Sequence, residues 1–221
     1  MANSLYLNRD PDYFLDRETD EKTKHLQRKL WYFLVNADVE DSITFGTPIW
    51  TMQDNYDTNL PFYCQNNSNL IDMEFEGQLI KAFEYLNPVI SSVHSILETI
   101  LKVKSSPKII YVAKSLSELE NLIDDRLGGL NEYLVLDDSL PDFLKIMKLK
   151  LLLHCKLFLS YTYYCLHVYY EERGIFHLHL FYLKKLIMII FHELAGISLN
   201  LLHNYRSILW TWIYIYNDTS T

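Results

Sequence analysis

The chain has 221 residues, 49% of them hydrophobic, with only 6 Gly and 6 Pro. That is enough apolar material for the core of one domain, or of two small ones, and it excludes disorder. The scarcity of Gly and Pro favours long helices over many short strands. A formal net charge of -8 repels phosphate backbones and argues against unaided contact with DNA or RNA.

Residues 15–24 are charged and read as a loop or as the first turn of a helix. From about His25 the apolar residues Leu26, Leu30, Phe33, Leu34 and Ala37 recur at helical spacing and predict a helix. This helix should reach about Phe45 and stop at Gly46, ahead of Pro48. Residues 47–67 form an irregular connection. Helical periodicity returns over Asn69–Leu86, and Pro88 breaks that helix or opens the next at its first turn. The next helix carries Ile90, Val93, Leu97, Ile100 and Leu101 on one face, and Ser105–Pro107 ends it. The basic run Lys102–Lys108 reads as a solvated loop. Ser115 and Glu118 form a capping-box pattern, closed downstream by Gly128 and Gly129. One long helix is predicted over 139–174, with Pro141 in its first turn and Gly174 at its end. Another runs from about Ile175 to Tyr205, and a last one contains ILWTWIYIY. The architecture is all-α.

Candidate chemistry is sparse. Cys64, Cys155 and Cys165 show no metal-type pairing and are read as reduced, buried thiols. The N-terminus has no secretory signal, so the sequons at Asn66 and Asn217 carry no weight. His192 and Glu193 begin a zinc-protease-like HE pair, but position 196 is Gly where a second His is required. They read as a surface or interface pair. His177 and His179 lie two residues apart and diverge on a helix. His154, Cys155, Cys165 and His167 are too far apart on the long helix to share an ion without other elements. No nucleophile elbow, Walker loop or dinucleotide fingerprint is present, which disfavours an enzyme. The apolar stretch 186–202 has His192 and Glu193 near its middle and falls short of the ~20 uncharged residues of a spanning helix. It reads as a buried core helix.

The densest pattern lies between Arg28 and Pro61. Trp31, Leu34 and Asp38 share one helical stripe, with Arg28 a turn earlier. A carboxylate there requires a basic partner or backbone N–H donors. A basic pair, Arg28 and Lys29, precedes Leu30, Trp31 and Tyr32. Asp38 and Ser42 follow, then the turn Gly46-Thr47-Pro48, the acidic Asp54 and Asp57, and Leu60-Pro61. Upstream stands ANSLYLNRDP, residues 2–11. This series resembles the middle homology region of fungal zinc-cluster transcription factors over residues 2–61. Thr47 departs from it, since an Arg is usual there, which puts a salt bridge from that position in doubt.

The resemblance implies a helical regulatory domain that controls RNA polymerase II transcription in the nucleus. It implies that Arg28, Trp31, Asp38, Gly46 and Pro48 are scaffold, with no catalytic or metal-binding residue. It further implies an incomplete view: the six-cysteine zinc module, its linker and the early regulatory helices would precede Met1. Zinc and DNA would be bound only by that module, and dimerisation would depend partly on a coiled coil beyond this chain. Partners would be the transcription machinery or co-regulators. A small apolar metabolite could gate the domain, with the aromatic-rich helices of 143–216 as its lining, although such faces usually form core. The alternative is a helical membrane-associated or partner-binding protein, a remnant without DNA binding.

Overall fold

Local signals at helix ends set the first long element. A computed structural model of the chain describes residues 6–14, 19–102, 107–134 and 142–195. After a single turn, α1 (Pro11–Phe14), helix α2 runs over Glu21–Phe45. The Asp20 carboxylate accepts the Thr23 N–H at its start, a cap worth about 1 kcal/mol. At its end Gly46 turns into the left-handed region (φ +66°), and its N–H donates to the Ser42 carbonyl. A residue with a Cβ would be strained there.

The apolar stripe of α2 is not the face that is buried. Leu26, Leu30, Phe33 and Leu34 are 39–51% exposed, and Ala37 is exposed as well. At about 100° per residue the buried set lies almost opposite: His25, Arg28, Lys29, Trp31, Tyr32, Val39, Ser42 and Ile43. The reason is electrostatic satisfaction. The two buried cations find buried carboxylates, so a mixed face can go inward.

A 3-10 turn at Gln53–Asn55 interrupts the connection to α3, Met73–Leu101. Asp72 caps α3 by accepting the Phe75 N–H. Pro88 neither breaks nor opens a helix: it sits inside this continuous one. An interior proline costs roughly 3 kcal/mol. Leu86, Val89, Ile90 and Val93 around it are all buried, and roughly 1.5–3 kcal/mol per buried side chain outweighs that cost. Helix α4 spans Ile109–Arg126 and packs on α3 through Val112, Leu116, Leu119 and Ile123. Because this buried stripe starts before Ser115, the expected capping box falls in the helix interior. Glu118 instead lies 3.6 Å from Lys114. The Tyr85 hydroxyl donates to the Arg126 carbonyl, and the Arg126 guanidinium lies over the Tyr85 ring.

The chain divides into two compact units, Met1–Arg126 and Leu127–Thr221. In the second, a 3-10 turn (Leu130–Leu134) precedes α5, Asp142–Glu172, and α6, Phe176–Ile187. Gly174, at φ +66°, reverses the chain between α5 and α6, which pack side by side. Leu152, Cys155, Phe158, Leu159, Tyr163 and Leu166 of α5 are buried, as are Tyr182 of α6 and Ile189 beyond it. The Tyr182 ring stacks on Tyr170 and lies 5.8 Å from Tyr163. Tyr163 and Tyr182 are core, whereas Tyr161, Tyr164, Phe176 and Phe181 are exposed.

The predicted helix from Ile175 is α-helical over Phe176–Ile187, and its stretch beyond Ala195 lies outside the described residues. Met188–Leu194 is π-helical. Glu193 there pairs with Lys156 of α5 at 2.7 Å, and His192 is exposed. Of the thiols only Cys155 is buried, and burial pushes its pKa up to about 12. Cys64, in a connection, and Cys165, on the outer side of α5, are exposed and free, unlike the buried thiols expected. No strand occurs among the described residues, and no helix among them is long and apolar enough to cross a membrane. Pro141, Ser105, the helix beyond Ala195 with its ILWTWIYIY segment, and Asn217 lie outside the described residues.

Candidate functional site

The basic pair of α2 reaches two different buried carboxylates. Arg28, 1% exposed, forks onto Asp10, which is fully buried. Nε donates to Oδ2 at 3.1 Å and Nη2 to Oδ1 at 2.8 Å. Nη2 also reaches Asp12 Oδ2 at 2.6 Å, and the guanidinium lies 5.1 Å over the Phe62 ring. Asp10 accepts backbone N–H groups from Asn59 and Asp12 too. Burial pushes its pKa up. The Arg28 bond and the two N–H donors more than reverse this and hold the carboxyl at about 2 rather than 3.8.

Asp57 extends the cluster. Its carboxylate accepts the Asp10 N–H at 2.8 Å and pairs with Arg9 at 3.0 Å. Thr58 donates to the Leu7 carbonyl. The segment before α1 is thus fastened to the connection after α2 by charged hydrogen bonds, which are stronger than neutral ones.

Lys29 donates to Glu76 of α3, which is fully buried. The second carboxylate oxygen accepts the Ser68 hydroxyl and the backbone N–H groups of Asn69 (2.8 Å) and Leu70 (3.1 Å). Here also burial raises the pKa, but the Lys29, Ser68 and backbone donors outweigh it and hold the carboxyl at about 2 rather than 4.5. His25 Nε2 lies 3.4 Å from the same carboxylate. Burial and the Lys29 charge push the His25 pKa down, so the ring is neutral and Lys29 is the cation of this site.

Asp38 receives backbone donors. Its Oδ2 accepts the N–H groups of Trp50 (2.8 Å) and Thr51 (2.7 Å) and the Thr51 hydroxyl (2.7 Å). The Thr51 hydroxyl also meets His94 Nε2 of α3 at 3.3 Å. The carboxylate therefore ties the turn after Gly46 to α2, and Thr51 passes that tie to α3. Asp38→Ala should cost about 1–3 kcal/mol, the scale of hydrogen bonds to a charged acceptor, here partly buried. Asp38→Asn, which keeps an acceptor oxygen, should cost less. Urea unfolding of the two variants checks this, and a midpoint unchanged in Asp38→Ala would contradict the tie.

The remaining motif residues fall into two groups. Trp31 and Tyr32 are buried: Trp31 packs edge-on against Tyr56, and Tyr32 stacks on Phe83. Burial raises the Tyr32 pKa to about 12. Ser42 and Pro61 are buried too. Leu30, Pro48, Asp54 and Leu60 are exposed, and Leu30 points away from the ion pairs. Sequence reasoning missed Glu76, His25, Ser68 and His94. The Lys29–Glu76 pair is separated by 47 positions, and no local spacing signals it.

The sign of the acid response follows from Asp10 and Glu76. Both folded values lie below the unfolded ones, so the unfolded chain takes up protons first as the pH falls. Their contribution is complete above about pH 4.5 and lost as the pH falls toward about 2. Each is worth about 2–3 kcal/mol, from 1.36 kcal/mol per pKa unit. The urea midpoint should therefore fall between about pH 5 and pH 2 more steeply in the unaltered chain than in Glu76→Gln. Parallel slopes would remove Glu76 from this account.

The arrangement binds segments of the chain to each other. Arg28 with Asp10 and Lys29 with Glu76 are buried against one another, while Arg9, Asp12 and Asp57 stay exposed at the edge. Residues 1–126 match the fungal specific transcription factor domain. The match ends at Arg126, which also closes the first unit. The chain is 38% identical over 189 residues to multidrug resistance regulator 1 of Candida albicans (strain SC5314), covering 85% of this chain and 17% of that protein. It is 29% identical over 130 residues to multidrug resistance regulator 2 of the same organism, covering 58% of this chain and 17% of that one. The chain therefore spans about a sixth of the length of these relatives, from that 17%. No solved structure matches it. The inward-facing charged scaffold, the all-α architecture and the match over 1–126 together make this chain a member of the fungal specific transcription factor domain family.

Proposed function

We propose that the chain is a regulatory segment of a fungal zinc-cluster transcription factor, acting on RNA polymerase II transcription in the nucleus, in a drug-resistance response of the kind its relatives' names describe. The family match over residues 1–126 carries this reading, since it coincides with one compact unit. The inward-facing ion pairs add support, because they suit a domain that holds or changes conformation rather than one that turns over a substrate. In this reading DNA is reached through a zinc-cluster module elsewhere in the whole protein, and zinc belongs to that module. The partners are co-regulators or the transcription machinery, and the effector is a small apolar compound. The whole protein works as a homodimer.

The test joins the 221-residue chain to an unrelated DNA-binding module and reads a matching reporter in fungal cells, with and without apolar drugs. The expected result is a reporter level that differs from that of the module alone and shifts on drug addition. Lys29→Ala, which takes the cation from the buried Glu76, should abolish the shift. A fusion present at equal level but indistinguishable from the module alone, with or without drug, would overturn the proposal.

A further inference from the structure

Helices α5 and α6 bring together three donors that no motif of the sequence marks. His167 and Glu171 are one turn apart on α5, so their side chains leave the same face. Gly174 reverses the chain, and His179 in the first turns of α6 comes back beside them. The two imidazoles stack with centroids 4.3 Å apart and planes at 28°. One ligand-type atom from each of His167, Glu171 and His179 lies within 4.8 Å of the other two.

Two details point from a chance cluster to a ligand. His167 Nδ1 lies 3.3 Å from the His179 backbone carbonyl. A proton on Nδ1 donates to that oxygen and leaves Nε2 with a free lone pair, the usual arrangement of a metal-binding histidine whose second nitrogen is held by an outer partner. His179 Nδ1 is buried and has no hydrogen-bond partner, a condition that an ion bound to the ring, or a shift that follows it, would relieve. Phe176 stacks on the same ring, with centroids 5.9 Å apart, and limits its rotation.

We propose that His167, Glu171 and His179 form a binding site for a divalent transition-metal ion of the zinc class, which fastens α5 to α6 near their turn. Two imidazoles and one carboxylate are a borderline donor set that suits Zn2+ and Co2+ and does not suit Mg2+ or Ca2+. Ligand bonds of about 2.0–2.2 Å require the three donors to draw inward. Glu171 is exposed, and its side chain is free to make that movement. A fourth position stays open to water or to a partner's side chain. The site lies outside the family-matched residues 1–126 and is independent of the proposed function.

The test uses the untagged 221-residue chain and Co2+ alone, read by visible absorption, followed by displacement with Zn2+. One equivalent of Co2+ should produce the intense bands of a four-coordinate site, and Zn2+ should remove them. Glu171→Gln and His179→Ala should each weaken binding by at least about tenfold, the loss that removing even an outer partner produces. His177→Ala, an exposed neighbour, should leave binding unchanged. Because Glu171 is exposed, Glu171→Gln keeps the comparison valid if His179→Ala unfolds, and circular dichroism separates the two cases. Several weak equivalents insensitive to Glu171→Gln would mean adventitious coordination and overturn the proposal, as would the absence of saturable binding.

Discussion

Glu76→Ala should lower the unfolding free energy by about 3–5 kcal/mol, the scale at which breaking one side of a buried ion pair leaves the other charge uncompensated. Lys29 is buried and donates to this carboxylate, and the Ser68 hydroxyl and the N–H groups of Asn69 and Leu70 converge on its other oxygen. Alanine removes every acceptor at once. A single domain has only about 5–15 kcal/mol in hand, so the first unit would lose a large part of its margin. Glu76→Gln keeps an oxygen for the backbone donors and loses only the charge, so it should fall between alanine and the unaltered chain. Replacing the pair together, Lys29→Met with Glu76→Leu, removes the unpaired charge and should recover part of the loss. Recovery stays incomplete because Asn69 and Leu70 still lack an acceptor, at about 1–3 kcal/mol for such orphaned donors. Urea titration of all four proteins gives the order. A loss below about 1 kcal/mol in Glu76→Ala would show that Lys29 finds another anion, and the ion pair would no longer explain how α2 is seated.

Some of this was legible in the sequence, and the division has a physical cause. The end of α2 was readable because Gly46 and Pro48 act within a few residues. Its start at Glu21 lies earlier than the apolar periodicity indicated, because Asp20 caps a turn made of charged residues. Asp38 on an apolar stripe called for donors, which Trp50 and Thr51 supply. Which face of α2 turns inward was not readable. Periodicity finds the apolar stripe through Leu26, Leu30 and Phe33, but the partners that admit Arg28 and Lys29 to the interior stand 18 and 47 positions away. Pro88 likewise obeys burial on its flanks rather than its own propensity. His167 and His179 looked unrelated because only the reversal at Gly174 brings their helices face to face.

Trp31→Ala tests the same face of α2 through packing alone. Trp31 is 5% exposed, and its ring meets Tyr56 edge-on with centroids 5.2 Å apart. Removing it should cost about 3–5 kcal/mol, the lost transfer of a large side chain plus the cavity left behind. The indole Nε1 is buried and has no hydrogen-bond partner, so the native residue already carries an unmet donor. Trp31→Phe removes that donor while keeping an aromatic ring against Tyr56, and the two changes partly offset. It should therefore cost less than half of the alanine change. Thermal or urea unfolding decides between two accounts of this position. If Trp31→Phe were as damaging as Trp31→Ala, the indole N–H would be making a bond that the stability depends on. If Trp31→Ala cost under about 1 kcal/mol, well below the range for a buried tryptophan, the residue would lie at the surface and the inward face of α2 would have to be redrawn. A large loss in alanine with a small one in phenylalanine is the pattern that a packed aromatic contact between α2 and the connection at Tyr56 requires.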